Sequence, residues 1–177
     1  MYRIKQLLAS DQTLYHTRDL GVLWGMENQQ TLYTTISRYI GQGIFFPVQK
    51  GLYATVPLDR LDPYSLGRSL AHGYCYVTTE TVLSVAGYIN QPVQTITFAA
   101  SLSRRVSVAG HTYLFRKLAD HFLGNTTGIF EKNGVFWASP QRAVADMQYF
   151  SRHYHFDAQN RIDWPEVKKI QKEVGYL

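Results

Sequence analysis

Residues 28–53 read NQQTLYTTISRYIGQGIFFPVQKGLY, and the order of residue types predicts a helix followed by a hairpin. Leu32, Ile36 and Ile40 recur at helical spacing until the period stops at Gly41-Gln42-Gly43. A short apolar run, Ile44-Phe45-Phe46, leads into Pro47-Val48-Gln49-Lys50-Gly51, which reads as a turn, and Leu52-Tyr53-Ala54 returns from it. Away from Leu32 and Ile36 the helix carries Gln29, Gln30, Thr31, Tyr33, Thr34, Ser37 and Arg38, with no acid among them. An ordinary solvated helix mixes Glu with Lys as i,i+4 pairs. Amides and hydroxyls with a single Arg are instead groups that hydrogen-bond base edges and phosphates in a major groove. The stretch therefore reads as a recognition helix with a β-hairpin wing. Asn28 caps the helix and opens its DNA-facing set. Gln29, Gln30, Thr31, Tyr33 and Thr34 are the candidates for base or groove contact, and Ser37, Arg38 and Lys50 for phosphate.

Outward from this stretch, two shorter helices precede it. Ile4, Leu7 and Leu8 share one helical face, and Asp11 ends that helix. Thr17 reads as the N-cap of a second helix striped by Leu20, Leu23 and Trp24 and closed by Gly25. Residues 1–58 thus have the order of a winged helix-turn-helix. Pro57 to Pro63 reads as a linker, and a second domain follows over 62–177. There Asp62-Pro63 opens a helix, and Thr78 or Thr79 caps another that contains Val82 and Leu83. The pattern then changes to period two in Thr95–Ala99, Val106–Val108 and Tyr113–Phe115, with Ala109-Gly110-His111 as a hairpin turn. Lys132-Asn133-Gly134 predicts a second hairpin, because Asn-Gly tolerates positive φ at both positions. Ser139-Pro140 and Asp163-Trp164-Pro165 read as cap-then-proline openings of two last helices. The expected class is α+β: an N-terminal winged helix-turn-helix, then a mixed helix and antiparallel-strand domain.

Composition narrows the function. The chain has 177 residues, 45% of them hydrophobic, which suffices for an ordinary core. Its net charge of +5 favours an acidic partner such as nucleic acid, but only moderately. Cys75 is the only cysteine, so neither an intrachain disulfide nor a multi-cysteine zinc site is available. MYRIKQLLASDQTLYH lacks the apolar core of a secretory leader, and no apolar run approaches 18 residues. A cytoplasmic protein with no membrane partner is expected.

The catalytic templates are missing. There is no Gly-x-Ser-x-Gly, phosphate loop, Rossmann glycine pattern or His-Glu-x-x-His, so the expectation is a binding protein without catalytic residues, cofactor or metal. His153, His155 and Asp157 do not share a helix face and read as a surface loop or helix end. Arg142 and Asp146 are spaced as a helical ion pair. Arg104-Arg105, beside a predicted strand, reads equally as a phosphate or carboxylate contact and as charge that blunts an edge strand.

The succession of segments resembles the AbiE-type antitoxins of type IV toxin–antitoxin systems, a family of transcriptional regulators. The matching pieces are Ser37-Arg38-Tyr39, Gly43-Ile44, Lys50-Gly51-Leu52-Tyr53 and Asp62-Pro63-Tyr64-Ser65-Leu66. They continue with Tyr76-Val77-Thr78-Thr79-Glu80-Thr81-Val82-Leu83, Ser103-Arg104-Arg105 and Ser139-Pro140-Gln141-Arg142-Ala143-Val144-Ala145-Asp146. One departure is Pro140-Gln141-Arg142, where the family often has Pro-Glu-Lys. The resemblance implies a winged helix that binds operator repeats in double-stranded DNA upstream of its own operon, as an autorepressor. It implies a second domain that helps neutralise a nucleotidyltransferase toxin, with no stable complex required. A dimer on repeated sites fits that picture, with Arg104 and Arg105 facing phosphate or the toxin. The alternatives are a stand-alone winged-helix regulator and a protein-interaction module with no toxin partner.

Overall fold

A computed structural model describes residues 2–10, 12–71 and 73–177, so the helix end expected at Asp11 lies outside the described residues. The chain divides into two compact units, 1–62 and 63–177.

The first unit runs α1 (Tyr2–Leu8), β1 (Leu14–His16), α2 (Thr17–Trp24), α3 (Gln29–Gly41), β2 (Phe46–Gln49) and β3 (Leu52–Ala54). The three strands form an antiparallel sheet in the order β1-β3-β2. Strand β1 has no counterpart in the sequence reading. It pairs with residues 36 to 40 positions away, so no local pattern marks it. The hairpin strand is also longer than expected: Pro47, Val48 and Gln49 belong to β2, leaving Lys50-Gly51 as the turn. Pro47 is tolerated because β2 is an edge strand, where a missing N–H breaks no inner ladder.

Helix α3 ends in a Schellman turn. Gly43 adopts φ 70°, its N–H donates to Ile40 O at 3.0 Å, and the Ile44 N–H donates to Tyr39 O at 2.9 Å. The start of α2 departs from the sequence reading. His16 is the N-cap, and its N–H donates to the Asp19 carboxylate at 3.1 Å, while Thr17 is already helical. The Thr17 N–H donates instead to Gly51 O at 2.9 Å, which ties the hairpin turn to α2.

Leu7, Tyr15, Leu20, Trp24, Leu32, Ile36, Tyr39 and Phe45 form one buried cluster. Burying side chains of this size contributes about 1.5–3 kcal/mol each. Trp24 meets Tyr39 edge-on with centroids 5.6 Å apart, and Phe45 lies 6.0–6.2 Å from both rings. These rings set the angle of α3 against α2 and the hairpin.

The second unit contains α4 (Pro63–Leu70), β4 (Tyr76–Val77), α5 (Glu80–Val85), β5 (Thr95–Ala100), β6 (Arg104–Val108), β7 (His111–Lys117), α6 (Asp120–Leu123), β8 (Ile129–Lys132), β9 (Val135–Ala138), α7 (Pro140–Phe150) and α8 (Trp164–Val174). Its six-stranded sheet has the order β6-β7-β5-β4-β9-β8. The expected antiparallel sheet is corrected here. β5 pairs with β7 in parallel, as β4 does with β9, and the remaining pairs are antiparallel. The β6–β7 hairpin docks with β7 rather than β6 against β5, which places β7 and β5 in the same direction.

Both hairpin turns follow their sequences. Ala109-Gly110 has φ 50° and 79°, and Asn133-Gly134 has φ 52° and 74°, the positive pairs of two-residue turns. Ser139 Oγ caps α7 by accepting from the Arg142 N–H, and Asp163 caps α8 through the Glu166 N–H. At α5 Thr79 occupies the N-cap position, but neither threonine side chain caps the helix. Thr79 has φ 50° and makes no side-chain cap, and the Thr78 hydroxyl donates to Asp146 instead.

Helix α4 covers one face of the sheet, with Gly67 against Phe98 and Tyr113. α5, α7 and α8 gather at the other, where Tyr76 and Thr78 bond to Asp146 on α7 and Gln148 bonds to Gln171 on α8. A Cβ on Gly67 would sit 2.5 Å from Phe98 Cε2 and 2.8 Å from Tyr113 Cδ1. Neither ring can retreat, since Phe98 and Tyr113 are fully buried. Gly67→Ala is therefore expected to destabilise this unit by about 1–3 kcal/mol, the range for an overpacked core. Urea unfolding measures it. A neutral or stabilising result would show that α4 is free to shift off the sheet.

Candidate nucleic-acid interface

Helix α3 is thirteen residues long and buries Leu32, Thr35, Ile36 and Tyr39. Every residue nominated from the sequence lies outside that stripe. Asn28, Gln29, Gln30, Thr31, Tyr33, Thr34, Ser37, Arg38 and Lys50 are all exposed. Gln30, Thr34 and Ser37 follow at i, i+4 and i+7 and form the ridge most nearly opposite the buried stripe. Tyr33, with 51% of its surface exposed, and Arg38 flank it.

The polar groups on this surface are not equally free. Asn28 Oδ1 accepts the Thr31 N–H at 3.0 Å and the Thr31 hydroxyl at 3.2 Å, so it works as the helix cap. The Thr34 hydroxyl donates to Gln30 O at 2.8 Å. The Thr35 hydroxyl likewise donates to Thr31 O at 2.8 Å. These bonds leave the terminal amides of Gln29 and Gln30, with the hydroxyls of Tyr33 and Ser37, as groups that still offer both a donor and an acceptor. Neither glutamine amide forms a hydrogen bond among the described residues.

Electrostatically the surface is simple. Residues 28–53 contain Arg38 and Lys50 and no acid. Among the described residues neither cation has an ion-pair partner; the Arg38 guanidinium lies 5.5 Å from the Tyr39 ring centre. Lys50 stands at the hairpin turn, which is held to α2 through Gly51 and Thr17. One residue absent from the sequence reading joins this surface. Arg18, exposed in the first turn of α2, lines a shallow recess with Val22, Gln29, Leu32, Tyr33 and the exposed Glu27, the one acid there. Its signal is positional, since it opens the helix that precedes α3.

In the second unit the structure separates Arg104 from Arg105. Neighbouring residues of β6 point to opposite faces of the sheet. Arg104 is half-buried. It donates from Nη2 to Leu70 O at 2.8 Å and lies 5.6 Å from the Phe115 ring centre. Arg105 is exposed opposite Leu114. The two therefore do not form a paired cation site. Arg116, on the face that Arg105 occupies, is already bound to Glu80 at 2.6 Å and stacked over Phe150.

The buried titratable groups belong to the architecture. Arg142 and Asp146 are fully buried and joined Nε to Oδ1 at 2.8 Å. Asp146 also accepts from the hydroxyls of Tyr76, Thr78 and Tyr176 at 3.0, 2.7 and 2.7 Å. Burial, then the Asp146 charge, holds both phenols far above their ordinary range. For Arg142 burial is the largest single effect and acts the other way, but Asp146 together with Tyr76 and Tyr176 outweighs it and the guanidinium stays charged. Burial pushes the Cys75 thiol up to about 11, against a smaller opposing effect of Arg68. At neutral pH it is a protonated, enclosed thiol and a poor nucleophile. His155 and Asp157 approach only to 4.0 Å, and among the described residues no group of three or more His, Cys, Asp or Glu could hold a metal ion. Among the described residues no helix is long and apolar enough to cross a membrane.

No protein-family model matches the sequence, and no match was found among curated proteins.

Proposed function

We propose that the first unit is a winged helix-turn-helix, that it binds duplex DNA sequence-specifically, and that the protein regulates transcription without catalysing a reaction. In this reading α2 and α3, separated by Gly25 to Asn28, are the helix-turn-helix, and the β2–β3 hairpin is the wing. The observation that carries it is the outer side of α3, exposed along its length, acid-free, and continued by an unpaired lysine at the tip of the hairpin. Such a surface suits a polyanion whose base edges must be touched. Arg38, Lys50 and Arg18 take phosphates, and the amides of α3 meet bases. Of the two arginines on β6, Arg105 is the one exposed to a phosphate or an acidic partner. The narrower role of an autorepressing antitoxin, acting against a nucleotidyltransferase toxin, rests on the resemblance of its ordered motifs to the AbiE-type family.

Retardation of labelled duplex DNA tests the core of the proposal. The purified full-length chain is expected to shift the DNA upstream of its own gene at low salt, and to do so in the presence of excess unrelated duplex. Absence of any shift, with the protein shown to be folded, would sink the DNA-binding reading.

A further inference from the structure

We infer that α3 reads A·T pairs in the major groove, because residues 29–37 offer amides and apolar groups but no Arg or Lys to match guanine bidentately. This rests on the DNA-binding reading above and adds the class of sequence recognised. Each base pair presents its own set of groups in the major groove. Guanine, with two acceptors, is matched by Arg or Lys. Adenine, with an acceptor beside a donor, is matched by Asn or Gln. Cytosine offers a donor that Asp or Glu accepts, and thymine presents a methyl group. Roughly the first two and a half turns of α3 hold the second of these chemistries and neither the first nor the third. From Gln29 to Ser37 there is no Arg, Lys, Asp or Glu. Arg38 lies eight residues, more than two turns, beyond Gln30, and Lys50 belongs to the hairpin turn.

Of the groups that match a base edge bidentately, what remains is Gln29 and Gln30, whose side-chain amides form no hydrogen bond among the described residues. Asn28 cannot take the same role, since its carbonyl oxygen already accepts two bonds from Thr31. Because the Thr34 hydroxyl is turned back to Gln30 O, its methyl is the group left for apolar contact. Tyr33 adds an exposed ring on the same turn, next to the recess that contains the exposed Val22. Gln30 with Thr34 and Tyr33 thus pairs an adenine-matching amide with apolar groups suited to a thymine methyl one turn along.

Selection from duplexes randomised over twelve base pairs, with the full-length protein, tests this. The expected motif is dominated by A·T pairs, and Gln30→Arg is expected to introduce guanine at one of its positions. In the selected duplex, 7-deazaadenine or uracil in place of single adenines or thymines should weaken binding, by about tenfold for the adenine that meets Gln30. A motif centred on G·C pairs overturns the inference and leaves DNA binding standing. An A·T-rich motif indifferent to both base analogues also overturns it, because recognition would then run through the minor groove or DNA shape. Retention of duplexes with no enriched motif overturns sequence-specific reading altogether. Failure to retain any duplex at low salt overturns the DNA-binding reading itself.

Discussion

Arg142→Ala is expected to destabilise the second unit by about 3–5 kcal/mol, the cost of breaking one partner out of a buried ion pair. All five guanidinium donors are engaged. Nε meets Asp146, Nη1 meets Asn125 O and Thr127 O, and Nη2 meets the Tyr76 hydroxyl and Phe122 O. Removing them strands the carbonyls of Asn125 and Thr127, while Phe122 O keeps the Asn125 N–H, and leaves the Asp146 charge in a fully buried site with only hydroxyl donors around it. Against a total stability of about 5–15 kcal/mol for an ordinary domain, that loss is large. The network also joins distant pieces. It links β4 through Tyr76, α7 through Asp146, the segment around 122–127, and Tyr176 beyond α8. Arg142→Met/Asp146→Leu is expected to be less damaging than Arg142→Met alone, since apolar replacement of both partners removes the stranded charge. Urea denaturation of the three variants decides it. A cost under about 1 kcal/mol for Arg142→Ala would mean that water enters and rehydrates Asp146.

The second large effect is expected on DNA. Arg38→Ala/Lys50→Ala should flatten the dependence of binding on salt. Each phosphate contact contributes about −0.9 to the slope of log K against log salt, so losing two removes about 1.8. Between 50 and 200 mM salt, the double variant should then lose about twelvefold less affinity than the parent protein. Preference among sequences should survive, because phosphate contacts carry no base information. Both side chains are exposed, so stability should move by no more than about 0.5 kcal/mol. Titrations of one duplex at several salt concentrations measure the slope. An unchanged slope would take both cations off the phosphate backbone.

Much of this protein was legible along the chain because the signals that set it act over a few residues. The period of Leu32, Ile36 and Ile40, the Asn28 cap, the stop at Gly43, the Asn133-Gly134 turn and the Ser139 and Asp163 caps are all local chemistry. Strand alternation alone also separates Arg104 from Arg105, since adjacent residues of a strand cannot share a face. The polar face of α3 was legible as composition, but which of its groups remain free was not. The turning of the Thr34 hydroxyl onto Gln30 O and the double bond of Thr31 to Asn28 needed coordinates. Only tertiary structure decided the short strands β1 and β4, whose three and two residues carry no period and exist because partners far along the chain pair with them. The parallel pairing of β5 with β7 depended on which edge of a local hairpin docks, a choice made by packing. The i,i+4 spacing of Arg142 and Asp146 marked an ion pair. Its burial among Tyr76, Thr78 and Tyr176, up to 70 positions away, followed from the way the sheet and helices close over it.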